Sequence, residues 1–550
     1  MANVHKVIVT NLATLKRKHG ANGLKRIQTA VNKLIKADAR RGISTELIGI
    51  DRAADMKGIG KRVTKTKDPR QAKRAIDAVC DAHAPHYLVI LGAPDVIPHV
   101  PLKNPVYDGD VDVDREVESD LPYACDAKYG RDIVDFLGPT RVVGRIPDVL
   151  GQGGTAHLVS VLNNAAKWTS KPRSVFERHF CVTAEAWKGS TRRSIRKLFG
   201  TQAGVKMSPY EGPRWSKTEL GGKVHFINCH GDTRVSKFYG ENEVAPWDTP
   251  IAHLSTHLGG RIPRAAIVAA ECCYGAELYE PTAEPMGICQ RYLGEGASGF
   301  FGSTNIAYGP AQENEYADVL CGYFVRAVLD GASLGRAALL ARQKYISRGG
   351  HMGPHDLKTL AQFILLGDPS IHPVELEPKK RAKAKRRPVA KARRRGAAPP
   401  MLQARSKRRT YLRGRGRQIG VTTASVSSKM DVRPTAKLRK DLEQLRQSRG
   451  LSAGKLMSFR LHGPAKPTKR KSASAKRLKA GKTAFHIIVG TSKLKPISAQ
   501  DLAKAKVPRR RRAALAKAAP LPRPQVKTGK VLVAREVNGK IDRIVEIHRH

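Results

Sequence analysis

Two short apolar runs in this chain end on residues that can do chemistry. Ala265 to Ala270 leads into Glu271-Cys272-Cys273-Tyr274-Gly275, and Lys223-Val-His-Phe-Ile-Asn-Cys229 leads into His230-Gly231-Asp232. A thiol attacks a carbonyl as its thiolate, and a neighbouring imidazole both stabilises that anion and can later protonate a departing amine. The glycine that follows each group lets backbone come close to a substrate, so that main-chain N–H groups, Gly231 among them, can hold a developing oxyanion. Taken singly, a buried cysteine is more often a small hydrophobe and a strand-end histidine structural. The recurrence of one design at two strand ends points beyond packing.

Such groups meet when the strands that carry them lie side by side and deliver them to the C-terminal edge of a parallel sheet. The surrounding pattern supplies that setting. Apolar runs at Tyr87–Leu91, Arg141–Pro147, Phe180–Thr183, Gly222–Cys229, Ala297–Gly302 and Phe363–Leu366 alternate with helix-period segments at Leu158–Trp168, Thr191–Phe199, Pro285–Gly294 and Glu313–Leu340. Alternation of this kind predicts α/β layering on a largely parallel sheet. Before it, Leu12, Leu15, Leu24, Ile27, Val31, Leu34 and Ile35 recur at three- and four-residue spacing, so residues 1–85 read as a mainly helical region.

The ordered set of blocks resembles the caspase-like clan of cysteine peptidases and, within it, the gingipain-type family. Phe226-Ile-Asn-Cys-His230-Gly231 looks like the strand that ends in His-Gly, and Ile267-Val-Ala-Ala-Glu271-Cys272-Cys273 like the strand that ends in an acidic residue, a small residue and cysteine. Leu91-Gly92 with Asp95-Val-Ile-Pro98, Asp120-Leu-Pro-Tyr123, Val143-Gly144-Arg145-Ile-Pro147, Phe301-Gly302-Ser303-Thr304-Asn305 and Leu366-Gly367-Asp368-Pro369 extend the likeness across roughly residues 85–374. The resemblance implies a three-layer α/β sandwich, a protein or peptide substrate and no required cofactor. It implies His230 as general acid/base and one of the paired cysteines as nucleophile: spacing from Glu271 selects Cys273, whereas a Cys-x-x-Gly spacing selects Cys272. Gly231 would give an oxyanion N–H. Asp232, Glu277 and Glu280 are candidate pocket carboxylates, and Asn305 falls at the pocket rim or in a turn. A peptidase domain over 86–374 follows, divided into 86–170 and a catalytic part at 171–374. The alternative is a catalytically silent scaffold of the same fold.

One further cluster suits an ion. Asp108, Asp110 and Asp112 alternate through a glycine-containing loop, a pattern open to calcium through oxygen ligands or to solvation alone, and no closing glutamate marks an EF-hand. The eight cysteines all lie before residue 374 without zinc spacing, which suits a reducing compartment, and with neither a signal peptide nor an apolar run of membrane-spanning length the expected location is cytoplasmic.

Charge divides the chain. Residues 375–550 hold 51 Lys+Arg against 9 Asp+Glu, most of the formal net +53. Residues 375–480 are too charged to fold alone and read as a disordered arm with a short helix at Lys437–Leu451. Residues 481–550 hold a strand at Ala484–Val489 and a hairpin, Lys530–Val537 with Lys540–Ile547 about Asn538-Gly539. Such a tail fits a nucleic acid or another polyanion, bound without sequence preference.

Overall fold

The structure is a computed structural model that describes residues 4–243, 249–348, 352–375, 435–448, 451, 456–461, 483–491, 529–537 and 540–549. Its first sixteen strands are, in chain order, β1 (Lys6–Thr10), β2 (Thr45–Gly49), β3 (Tyr87–Leu91), a hairpin of β4 (Val100–Lys103) and β5 (Glu116–Ser119), β6 (Val143–Ile146), β7 (His179–Ala184), β8 (Val205–Ser208), β9 (Val224–Asn228), β10 (His230–Gly231), β11 (Lys237–Tyr239), β12 (Ile251–Leu254), β13 (Ile267–Ala270), β14 (Gly299–Ser303), β15 (Tyr308–Gly309) and β16 (Phe363–Gly367). Ten of these form one sheet in the order β2-β1-β3-β6-β16-β14-β13-β9-β7-β8. All neighbours are parallel except β14 and β16, which pair antiparallel from Gly299 opposite Gly367 to Ser303 opposite Phe363. The sheet is therefore two five-stranded parallel halves joined at one reversed seam. The inner strands are buried almost throughout, as Val, Ile, Leu and Phe require when helices cover a sheet, while the edge strands β2 and β8 are only partly buried.

The expected α/β class holds, with one large, mostly parallel sheet flanked by helices. The expected division at residue 85 does not coincide with any break in the sheet. A helix occupies Leu12–Arg40 as the periodicity predicts and a second Pro69–His83, but β1 and β2 extend the same sheet, because Lys6-Val-Ile-Val-Thr10 is apolar enough to be buried throughout. Lys6 itself shows how the ends are bound. Its buried ammonium meets Asp368 at 2.8 Å and also pairs with Asp38, so the first strand is tied to the turn after β16. Gly144 permits the neighbouring contact: a Cβ there would lie 2.6 Å from the Gly367 carbonyl oxygen. Arg145 and Asp120, two residues of the family-like blocks, are spent on each other. The guanidinium grips the carboxylate through Nε at 2.8 Å and Nη2 at 2.6 Å, and His99 Nδ1 adds a third contact at 2.8 Å.

The C-terminal region departs further from expectation. A helix at Ala436–Ser448 matches the predicted one, and β17 (Leu456–Leu461), β18 (Thr483–Thr491), β19 (Gly529–Val537) and β20 (Lys540–Arg549) form an antiparallel sheet in that order. The arm expected over 375–480 thus contributes a helix and a strand, because Leu438 and Leu442 bury against Ile488 and Leu532. The predicted Asn538-Gly539 turn, and the basic runs at 379–395 and 509–517, lie outside the described residues. This sheet does not stand apart: β20 pairs with β15. Among the described residues no helix is long and apolar enough to cross a membrane.

Candidate active site

The site follows from the pairing of β9 with β13. These strands are parallel neighbours, with Phe226 opposite Ala269 and Ile227 opposite Ala270. The Glu271 N–H then reaches back to the Ile227 carbonyl at 2.8 Å, so the two segments leave the sheet together. Three residues on from Ile227 comes His230, and three on from Ala270 comes Cys273. Gly231 records how closely they pass, since a Cβ on it would fall 1.8 Å from the Cys273 carbonyl oxygen. Any larger residue would force the segments apart.

The two cysteines turn to different surroundings. Cys272 Sγ lies 3.9 Å from the Ile227 carbonyl oxygen in the core, and burial pushes its thiol well above the ordinary range. Cys273 Sγ instead receives the Ala307 N–H at 3.3 Å. The same sulfur lies 3.6 Å from the Ala307 carbonyl oxygen, so it sits between that residue's main-chain donor and acceptor. Cys229 is a packing residue whose thiol burial also raises. Glu271 does not face this site. It is buried toward Asp318: burial pushes Asp318 up to about 8, and burial together with repulsion from Asp318 holds Glu271 well above its usual value.

His230 lies in β10, which pairs with β11 and through it with β12. Its Nε2 is 2.9 Å from a carboxylate oxygen of Glu241, and the Trp187 ring packs against it at 4.4 Å between centroids. Neither partner was singled out from the sequence. Glu241 stands eleven residues beyond the histidine with no local motif, and only the return of β11 brings it back.

The other expected site residues are spread around this centre. Glu277 ties the two segments together, its carboxylate accepting from Thr233 Oγ1 at 2.9 Å and from the Arg234 N–H at 2.7 Å. Burial pushes its pKa up to about 7. Asp232 is half-buried and accepts from the Thr233 N–H at 2.8 Å. Glu280 lies against Gly151, away from this centre. Asn305 serves the turn: its side-chain oxygen accepts from the Glu118 N–H at 3.0 Å, while its carbonyl receives the Tyr274 N–H at 3.0 Å.

The acidic loop between β4 and β5 belongs here too, in a role other than the calcium one. Asp112 is buried, accepting from Tyr308 Oη at 2.9 Å and pairing with the buried Lys358 ammonium. Asp114 accepts from the Ile306 N–H at 2.8 Å and from Tyr274 Oη at 2.7 Å. Asp108 is occupied in the loop's own turn, accepting from the Asp110 and Asp112 N–H groups. A lysine ammonium in the midst of these carboxylates does not fit a divalent cation, and no cluster of three metal-ligating side chains occurs among the described residues. The loop instead clamps both sides of Cys273, at Tyr274 and at Ile306 and Tyr308.

This thiol-bearing turn and everything after it up to Val374 match a known family, the model of peptidase family C25, over residues 240–374. Residues 240–374 are similar to peptidase family C25. Family C25 comprises cysteine peptidases of the caspase-like clan, so the chain is assigned as a cysteine-type peptidase acting on protein or peptide. The C25 match holds both cysteines and Glu241 and begins ten residues after His230. A solved structure named "Structure of Protease" is similar at 16% identity with a TM-score of 0.44, covering 68% of this chain and 79% of its own. No curated protein matches the chain.

Proposed function

We propose that the chain is an endopeptidase working through Cys273 and His230, with Glu241 orienting the histidine. The supporting observation is the close passage of Gly231 against Cys273, whose Sγ receives the Ala307 N–H, while Cys272 Sγ faces the Ile227 carbonyl oxygen. Cys273 thiolate attacks the peptide carbonyl carbon, forming the C–S bond, and the oxyanion develops against main-chain N–H groups including that of Gly231. With Nε2–H donated to Glu241, the imidazole keeps Nδ1 as its exchanging nitrogen. The C–N bond then breaks as the protonated imidazole delivers its proton to the leaving amine. Water attacks the thioester, giving its proton to His230, and the acid product leaves with the thiolate restored.

The deciding experiment is hydrolysis of a peptide library by the parent, by Cys273→Ala, by Cys272→Ala and by the double variant, with cleavage sites mapped by mass spectrometry. Loss confined to Cys273→Ala supports this reading. Equal cleavage by the double variant rules out a thiol mechanism, and no cleavage by any form favours the silent scaffold. The charge concentrated in residues 375–550 supports a second role, retention on a nucleic acid or another polyanion.

A further inference from the structure

Cys273 and His230 are 0% and 1% exposed, so a peptide cannot reach them in the state described here. One of the elements beside the Cys273 turn comes from the far end of the chain. β15 begins one residue after Ala307, whose N–H touches Cys273 Sγ. A peptide substrate that presents its carbonyl to that sulfur has β15 as a nearby strand on which to align its main chain by strand addition. That strand is already paired. β20 runs antiparallel to it, with Tyr308 opposite Arg549 and Gly309 opposite His548, and so advances toward Ala307 and the Cys273 turn. Behind this edge the C-terminal sheet is seated on the peptidase body. Val533 and Ile547 join its hydrophobic core, and Arg543 pairs with Glu315 at the start of the helix Tyr316–Leu329. A cavity of about 380 Å³ remains between the two.

We propose that the C-terminal sheet is an intramolecular latch, in which β20 occupies the strand that a substrate peptide would use and holds the peptidase inactive until it is displaced. The proposal rests on the Cys273 reading above. The occupant is a segment of this same chain, and the linkage through residues 376–434 gives it an effective concentration that a free peptide must overcome. The latch and the acidic loop act on the same turn, one through β15 and the other through Ile306 and Tyr308.

Two full-length variants test it. His548→Pro removes a main-chain N–H from a strand paired on both sides. Arg543→Glu replaces a half-exposed cation in the seam with a like charge to Glu315 and leaves the fold of each part alone. Three readouts are taken: amide exchange over residues 306–310, the rate at which iodoacetamide alkylates Cys273, and the initial rate of peptide hydrolysis. The expected result is faster exchange in both variants, with alkylation and hydrolysis each raised at least about ten-fold, the advantage an effective concentration of this kind confers. Faster exchange with unchanged alkylation and hydrolysis would overturn the latch. So would rapid exchange over 306–310 in the parent, which would mean that the strand is not held. Faster exchange and alkylation without hydrolysis of any peptide would leave the latch standing and remove the peptidase reading.

Discussion

At the level of single residues, the adjacent cysteines pose a choice that spacing cannot make, since one rule selects Cys273 and another Cys272. Both are buried, but their contacts differ: Cys272 Sγ lies by the Ile227 carbonyl oxygen with its thiol raised by burial, whereas Cys273 Sγ lies against the Ala307 N–H and carbonyl in the turn that Gly231 passes. Cys273→Ala is accordingly expected to lower kcat by at least about 10³-fold. Cys272→Ala is expected to keep turnover while costing about 1–3 kcal/mol of stability, measured by denaturant unfolding. Glu241 is a positioning residue, and its variant separates orientation from chemistry. His230→Ala is expected to lower kcat by about 10²–10⁴-fold. Glu241→Gln should cost less, leave KM nearly unchanged and alter the pH profile of kcat/KM, a change that simple loss of stability would not cause.

At the level of elements, the inner strands β3, β6, β7, β9, β13, β14 and β16 were readable because each is a short apolar run ended by Gly, Pro or a polar residue, whereas β1, β2 and β8 at the sheet's two ends were not. What could not be read was how loops are shared between strands. Asp112 and Asp114 look like cation ligands in one dimension because their partners, Lys358, Tyr308 and Ile306, stand about 190 to 250 residues away. Glu241 escaped for a related reason, since its meeting with His230 depends on the β11 return. Lys358→Met, which leaves the buried Asp112 carboxylate and the partly buried Asp114 without their cation, is expected to destabilise the protein by about 3–5 kcal/mol in chemical denaturation. Adding Asp112→Asn should recover part of that. Glu277 gives the element scale a pH signature. Its ordinary value of 4.5 is raised to about 7 by burial, so folding favours the protonated form. Its contribution is complete below about 4.5 and is lost as pH climbs toward 7. The thermal midpoint of Glu277→Gln, compared with the parent across that window, is therefore expected to gain on it as pH rises; a constant difference would contradict the assignment.

At the level of the whole molecule, the chain joins a nearly balanced peptidase body to a tail carrying most of its charge, and the two are linked through the strand beside the candidate nucleophile. That juxtaposition could not be inferred from composition, which marks residues 375–480 as an arm because apolar residues there are sparse; the few present, Leu438 and Leu442 among them, suffice only because a sheet from the last sixty-odd residues covers them. The location of the charge carries its own expectation. A polycation binds duplex DNA by releasing condensed counterions, so log affinity falls linearly with log salt in proportion to the phosphates neutralised. A tail engaging six to ten phosphates should lose roughly 10³–10⁵ in affinity between about 50 and 200 mM salt, and sequence should matter little. Fluorescence anisotropy of two unrelated duplexes with the full chain measures both quantities. A flat salt dependence would show that the tail's charge is not what binds, whereas a steep one shared by both duplexes would place the peptidase on polyanion surfaces where displacement of β20 can be assayed directly, by comparing Cys273 alkylation with and without the DNA.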